Sequence, residues 1–288
     1  MRNETGKNGE RRALPWMAVC ALFSSVLVAT VGAPALAELP AEIRVVTYNL
    51  HHGQGVDKKF DLERIAKLLK AEKPDIVALQ EVDQKTKRSG GVDQPAELAR
   101  LTGMKAIFGR NIDFDGGGYG TAVLTNLPVR SSESVKLKSY YPPTKENAEQ
   151  RGVQVVELGE KDGPGIVFMG THLDYRQVED ERMNSALTIN ELARKRPNEP
   201  TIIAGDFNAM PDSAAIHEFE KEWTIAGGSG EAKQSEPMLT FPAEKPDRRI
   251  DYVMYRPANR WKVVEVRVLD EPVASDHRPV LTVLRREP

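Results

Sequence analysis

Cysteine is almost absent from this sequence. The single cysteine, Cys20, lies in the apolar segment near the N-terminus and follows Val19, which argues against a lipoprotein processing site. The rest of the chain has no thiol, so neither disulfides nor cysteine-ligated zinc can stabilise it. Its stability must come from a hydrophobic core, and about 250 residues are enough to bury one.

An excess of basic residues is missing as well. The 288 residues include 40 Lys and Arg against 42 Asp and Glu, a net charge of −2, and residues 38–288 alone carry 36 basic and 40 acidic residues. Aromatic residues make up only 6% of the chain. This composition excludes a uniformly basic, aromatic-rich surface that would bind nucleic acid. A local basic groove is still compatible with an acidic protein.

Long hydrophobic runs are confined to the N-terminus. Arg11 and Arg12 precede the apolar run 16–37, which ends in Ala-Leu-Ala. This is the pattern of a secretory signal peptide over residues 1–37, with a mature chain that begins near Glu38 and is exported to the periplasm or the medium. The arginine pair also permits twin-arginine export, and an uncleaved membrane anchor is the alternative.

The pattern of apolar runs in the remaining residues, 38–288, predicts one α/β domain. Ten short apolar runs read as strands, and helices are expected over 61–71, capped by Asp61, and over 179–194, with Leu187, Ile189 and Leu192 on the buried side. The stretch 226–236, rich in glycine and serine, reads as a loop. So many strands with so few helices predict two sheets stacked face to face, with helices outside.

Polar side chains recur where the apolar runs end. They are Asn49, Glu81, His172, Asp174, Asp206, Asn208, Asp251, Asp276 and His277. A single aspartate after a strand is ordinary turn chemistry. A set of carboxylates, amides and imidazoles without thiols, however, suits Mg²⁺ or Mn²⁺ that holds a phosphate.

The short motifs that contain these residues resemble a known family. "TYN", "LQEVD", "THLD", "GDFNA", "RRIDYV" and "SDHRPV" follow one another in the order typical of the endonuclease/exonuclease/phosphatase superfamily, over nearly the whole mature chain. The resemblance implies an α/β fold, a four-layer α/β/β/α sandwich of two packed, mainly antiparallel sheets. It also implies hydrolysis of a phosphoester with the help of Mg²⁺ or Mn²⁺.

The resemblance assigns a role to each motif residue. Glu81 is the expected metal ligand, with Asn49 and Asp276 beside the ion and Asn49 also near the substrate. Asp206 orients or deprotonates the attacking water, and Asn208 holds a phosphate oxygen. His172 and His277 donate hydrogen bonds to the phosphoryl group, Asp251 fixes and charges His277, and Arg151 lies near the scissile phosphate or forms a structural ion pair.

Several other residues are weaker candidates for the site. Asp174 is expected on the same strand face as His172. Tyr119 lies in a glycine-rich stretch that is more consistent with a hairpin turn than with a loop that closes over substrate. His51 and His52 are more consistent with loop residues than with a zinc pair that includes His172. His217 is assigned no function.

Three functions remain open on the sequence alone. The first is an exported phosphodiesterase that acts on lipid headgroups or other small diesters, and the second is a secreted nuclease. The third is a catalytically inactive binding module on the same fold, although all the catalytic positions are filled with suitable residues. No obligate protein partner is expected, and a monomer is predicted.

Overall fold

Two six-stranded sheets form the centre of the protein. The structure is a computed structural model that describes residues 39–138, 148–228 and 238–287. Residues Ala37–Pro288 form one compact unit. Within the described residues no helix is both long enough and apolar enough to cross a membrane.

The first sheet has the strand order β11-β12-β1-β2-β4-β3. Only β1 and β2 run parallel, and every other neighbouring pair is antiparallel. Its strands are β1 (Glu42–Asn49), β2 (Ile76–Gln84), β3 (Lys105–Phe114), β4 (Gly117–Thr125), β11 (Trp261–Val268) and β12 (Val280–Arg286).

The second sheet has the order β5-β6-β7-β8-β10-β9 and again contains one parallel pair, β7 with β8. The other pairs are antiparallel. Its strands are β5 (Val129–Lys136), β6 (Gly152–Leu158), β7 (Ile166–His172), β8 (Thr201–Asp206), β9 (Thr224–Ile225) and β10 (Asp251–Arg256).

Helices cover the outer face of each sheet. α1 (Leu62–Glu72) and α2 (Gln94–Thr102) pack on the first sheet, and α3 (Asp180–Arg194) and α4 (Ala214–Glu220) pack on the second. A third apolar cluster, which includes Phe168 and Tyr255, fills the space between the sheets. The predicted four-layer α/β/β/α sandwich of mainly antiparallel sheets is therefore confirmed.

Most predicted elements are present, with one clear error on α3. The helix begins and ends where expected, but Leu187 is 45% exposed and does not belong to its buried side. Ile189 is fully buried, and Leu192 packs partly against the core. The exposed position arises because the residues that face the sheet are Ala186, Ile189 and Ala193, whose spacing of three and four leaves Leu187 on the flank.

Asp61 caps α1 as predicted, since its Oδ1 accepts a hydrogen bond from Arg64 N at 2.8 Å. The sequence patterns did not predict α2, β5 or β9. Residues 1–37 and most of the predicted loop 226–236 lie outside the described residues.

Candidate active site

One end of the two sheets gathers the polar residues. Because β1, β2, β7 and β8 end there while β10 and β12 begin there, residues at those strand termini meet at one edge. Gly205, just before Asp206, allows the close approach of two strands: a Cβ added to it would lie 2.2 Å from Thr171 O. A larger residue would push β7 and β8 apart and misplace His172 and Asp206.

Asp206 is the centre of the group. It is 1% exposed, and its Oδ2 accepts a hydrogen bond from Asn49 Nδ2 at 3.0 Å. Oδ2 also lies 3.5 Å from His172 Nε2 and 3.7 Å from His277 Nε2. Burial and the charge of Asp251 raise the pKa of Asp206 to about 7, against the lowering effect of His277. The carboxyl is therefore poised to exchange a proton near neutral pH.

Glu81 reaches the same group through a distortion of β2. The pairing of β2 with β4 shifts register between Leu79 and Val82, and Glu81 has a left-handed backbone with φ 55°. Such a bulge re-aims a side chain, and a left-handed non-glycine residue is strained. Glu81 is half-buried, and its Oε1 accepts from Asn49 Nδ2 at 3.1 Å, so Asn49 links both carboxylates.

His277 and Asp251 form a buried ion pair. His277 Nδ1 lies 3.0 Å from Asp251 Oδ2 and donates to it. Burial lowers the pKa of His277, but the carboxylates of Asp251 and Asp206 outweigh it and raise the pKa to about 10. The ring is thus an imidazolium at neutral pH, with its Nε2–H directed toward Asp206.

His172 is neutral, in contrast to the charged His277. Burial, with the positive charges of Arg151 and His277, lowers its pKa well below the usual value, so its ring is neutral. Arg151 Nη1 lies 3.1 Å from His172 Nδ1. A guanidinium can only donate, so Nδ1 accepts and the ring proton sits on Nε2.

Asn208 brings a second donor to the same point. Its backbone is left-handed, with φ 47°, and its N donates to Asp206 Oδ1 at 2.9 Å. Its side-chain Nδ2 donates to Leu173 O at 3.1 Å and lies 3.1 Å from His172 Nε2. Two N–H donors this close together suit an anionic oxygen that accepts from both.

Two residues that sequence reasoning missed support this arrangement. Glu149 Oε1 lies 2.7 Å from Arg151 Nη1, and Ser275 Oγ donates to Asn49 O at 2.7 Å. Burial, with the charges of Glu81 and Asp174, raises the pKa of Glu149 despite Arg151. Ser275 immediately precedes Asp276 in the "SDH" triplet, which was the available signal, whereas nothing in the sequence distinguished Glu149.

Asp276 lies at the same end but more openly. It is half-buried in the connection before β12, and its Oδ1 accepts from Ser275 Oγ at 3.3 Å. Ser275 therefore ties Asp276 to the end of β1, next to Asn49. Asn49, Glu81 and Asp276 together offer an amide and two carboxylates, the hard oxygen ligands that suit a divalent cation.

A second group also has suitable spacing for a cation. One ligand atom each from Asp206, Asp251 and His277 lie within 4.8 Å of one another. Both ring nitrogens of His277, however, already face carboxylates, since Nδ1 donates to Asp251 at 3.0 Å and Nε2 lies 3.7 Å from Asp206 Oδ2. The strained, half-buried Glu81 with Asn49 is the better fit to a hard cation on the chemistry of its donors.

The weaker candidates are Asp174, Tyr119 and His217. Asp174 is buried, but it lies two residues beyond the end of β7 and not on the strand as predicted, and its Oδ2 pairs with Arg176 at 2.9 Å. Tyr119 is buried in β4, behind a hairpin turn at 115–116, as predicted. His217 lies exposed on α4.

His51 and His52 form a short 3-10 turn beyond β1. His51 N donates to Asn49 Oδ1 at 3.0 Å, which orients the Asn49 amide. The two histidines therefore support the site through the backbone N–H of His51, in keeping with the prediction that they are loop residues.

A buried carboxylate beside one neutral and one charged imidazole, at one end of two packed sheets, is an arrangement that suits the hydrolysis of an anionic ester. The sequence profile of the Endonuclease/Exonuclease/phosphatase family matches residues 46–277. The chain belongs to this family, whose members hydrolyse phosphoester bonds and typically depend on a divalent metal.

Individual proteins are similar to this chain in sequence or in fold. The Escherichia coli K12 protein YbhP is 26% identical over 251 residues, which cover 82% of this chain and 94% of YbhP. An endonuclease/exonuclease/phosphatase from Beutenbergia cavernae has the same fold, with a TM-score of 0.68, 24% identity, and coverage of 85% of this chain and 72% of that one. A mannosyl-6-phosphatase of Bacteroides thetaiotaomicron gives a TM-score of 0.68 at 19% identity, over 84% and 99% of the two chains.

Proposed function

We propose that this protein is an exported, Mg²⁺-dependent phosphoesterase that hydrolyses a phosphodiester by attack of water. The observation that carries the proposal is the surroundings of Asp206 Oδ2. Asn49, His172 and His277 each place a nitrogen within 3.7 Å of this one oxygen. A proton acceptor and three N–H groups thus converge on a space where water and a phosphoryl group can meet.

Asp206 acts as the base. A pKa of about 7 leaves much of the carboxyl ionised at neutral pH and still able to accept a proton from water. Asn49 and the backbone N–H of Asn208 hold its two oxygens at 3.0 and 2.9 Å, so the carboxylate cannot rotate away.

The phosphoryl oxygens are held by the N–H donors. His172 Nε2–H and Asn208 Nδ2 converge on one position, and His277 Nε2–H provides a positively charged donor nearby. Removal of one such donor typically lowers the rate about a hundredfold or more. His277 also carries a proton suitable for transfer to the leaving oxygen, because Asp251 keeps the ring charged.

Glu81, Asn49 and Asp276 would hold the Mg²⁺ ion, and Mn²⁺ suits the same oxygen ligands. When bound, the ion supplies positive charge that neutralises the phosphoryl group and polarises it toward attack. The strained backbone of Glu81 and its half-exposed side chain fit a ligand that must remain accessible to an incoming ion.

A lipid headgroup or another small diester is the favoured substrate, with a secreted nuclease as the alternative. The net charge of −2 supports the first interpretation, because nucleic acid binding depends on many cationic contacts to phosphates. Arg151 lies near the site but is already paired with Glu149 and His172. The Arg11-Arg12 segment and the apolar run after it support export to the periplasm or the medium.

The test is an activity screen with residues 38–288. The protein is incubated with a chromogenic phosphodiester, phosphatidylinositol, sphingomyelin and plasmid DNA, each with Mg²⁺ and with EDTA. Metal-dependent turnover of the chromogenic or lipid diesters, lost in His277→Ala, is the expected result. Cleavage of DNA alone would favour the nuclease, and no turnover of any substrate would favour the inactive binding module.

A further inference from the structure

Exposed apolar side chains are concentrated at the end of the protein that carries the active site. Among the described residues, nine large hydrophobic side chains are exposed, and seven of them lie at this end. We call these seven the apolar rim: Phe60, Val92, Phe114, Tyr175, Val178, Met210 and Val273.

The apolar rim comes from both halves of the sandwich. Phe60 precedes α1, Val92 precedes α2, and Phe114 ends β3. Tyr175 and Met210 follow β7 and β8, the strands that end in His172 and Asp206. The rim therefore encloses the opening of the site from two sides.

The opposite end of the two sheets differs in its exposed side chains. Its described connections, which include 73–75, 126–128, 159–165 and 195–200, contain no exposed large hydrophobic residue. The two remaining exposed residues, Leu187 and Val264, lie on the flanks, on α3 and β11. Scattered surface hydrophobics need no explanation, whereas a cluster around one opening marks an interaction surface.

Two phenylalanines project from tightly built turns. Phe114 stands before a two-residue turn, Asp115 and Gly116, in which both residues are left-handed with φ 44° and 81°. Phe60 is 48% exposed, and its ring centroid lies 5.8 Å from that of His52. The Phe114 ring is 38% exposed; one side of it packs against Tyr119 and against the Arg88 guanidinium, whose central carbon lies 4.5 Å from the ring centroid.

Positive charge accompanies these apolar side chains. Lys58 and Lys59 precede Phe60, and Lys85 and Lys87 lie in the loop before Val92. All four are exposed, and none forms an ion pair with another described residue.

The acidic residues near these four lysines already form ion pairs or hydrogen bonds within the chain. Asp57 pairs with Arg64 at 3.1 Å, Asp93 caps α2, and Asp115 Oδ2 accepts from Arg88 N at 2.7 Å. The lysines beside the rim are therefore left to meet an external negative charge.

We propose that the apolar rim docks this end of the protein onto an anionic lipid surface. This proposal rests on the proposed function and specifies it: the phosphoester is presented at the headgroup level of a lipid assembly. Phe60 and Phe114 insert among the acyl chains, while the adjacent lysines extend toward the lipid phosphates. A folded protein on the same rim would block the opening, whereas a lipid surface delivers the substrate to it.

The experiment measures binding of residues 38–288 to vesicles. Co-sedimentation is compared for phosphatidylcholine vesicles with and without 30% phosphatidylglycerol. We expect binding to the anionic vesicles, weakened by salt, and at least a tenfold loss of the partition coefficient in Phe60→Ser/Phe114→Ser. Leu187→Ser/Val264→Ser is the matched control, since its two residues are 45% and 43% exposed but lie away from the rim.

Turnover of a soluble chromogenic diester separates docking from catalysis. Both double variants should retain wild-type kcat/KM on it. Soluble-diester turnover without vesicle binding would overturn the docking proposal, and so would an equal loss of binding in the control variant. A dimer in light scattering that dissociates in Phe60→Ser/Phe114→Ser would assign the rim to a second copy instead. Vesicle binding without any turnover would sink the proposed function and leave the docking surface standing.

Discussion

Substitution of Asp206 by asparagine should stabilise the metal-free protein while it abolishes activity. Asp206 is buried between Asn49, His172 and His277, and burial with the charge of Asp251 raises its pKa from 3.8 to about 7. The native state therefore disfavours the ionised form. Active sites commonly carry such a cost, because the geometry required for chemistry is not the most stable one.

The size of the effect follows from the pKa. Each pKa unit corresponds to about 1.4 kcal/mol, so the rise from 3.8 to about 7 means that ionised Asp206 costs the native state about 4 kcal/mol above neutral pH. Asparagine keeps one of the two hydrogen bonds that Asp206 accepts, and the other loss costs about 1 kcal/mol. A net gain of about 2 to 3 kcal/mol is expected for Asp206→Asn at pH 8.

The sign of the pH dependence provides a sharper test. A carboxyl with a raised native pKa binds its proton more tightly when folded, so the wild type loses stability as pH rises from 3.8 to about 7. The variant has no such proton. Its advantage should therefore shrink to less than about 1 kcal/mol at pH 5, where wild-type Asp206 is mostly protonated in the native state.

The assay is urea unfolding with EDTA at pH 5 and pH 8. Asp162→Asn, an exposed carboxyl in the connection between β6 and β7, serves as control and should change the free energy of unfolding by less than about 0.5 kcal/mol at either pH. If Asp206→Asn is destabilising at pH 8, or its effect does not vary with pH, the description of Asp206 as a buried carboxyl with a raised pKa is wrong. Activity of the variant near that of the wild type would reject its role as the base.

Three further outcomes are expected. Mg²⁺ should raise the Tm of the wild type, and Glu81→Gln should reduce that rise, since a tenfold weaker Kd removes about 1.4 kcal/mol of ligand stabilisation; an undiminished rise would place the ion elsewhere. Asp251→Asn should lower kcat about a hundredfold and move the alkaline limb of the pH–rate profile to lower pH, because the pKa of His277 falls from about 10 when its carboxylate partner is lost. Asp61→Ala should cost about 1 kcal/mol in urea unfolding through loss of the α1 cap, with kcat/KM unchanged.

The sequence predicted elements with strong periodicity and missed those without it. β5 has the sequence VRSSESVK and is exposed along nearly its whole length, so it shows no apolar alternation. α2 is only nine residues long, and β9 only two. β5 pairs through its backbone with β6 alone, and β9 with β10 alone, which the side-chain pattern cannot reveal.

The sequence named the polar residues that meet at this end of the sheets but not their charge states. The motifs named Asp206, His172 and His277, yet nothing in the sequence distinguished a neutral His172 from a charged His277. That difference depends on three-dimensional neighbours, Arg151 at 3.1 Å from one ring and Asp251 at 3.0 Å from the other. The bulge that turns Glu81 toward Asn49 was equally hidden, because the apolar pattern of β2 continues past it.

The convergence of distant motifs has a topological cause. Each sheet contains one parallel pair, β1 with β2 and β7 with β8, and each pair is joined through a helix on the outer face, α1 or α3. A parallel pair brings two carboxyl ends to the same edge, and the antiparallel neighbours β10 and β12 begin at that edge. Residues that lie more than a hundred positions apart, such as Asn49 and Asp206, therefore meet because the sheets face each other with these edges aligned.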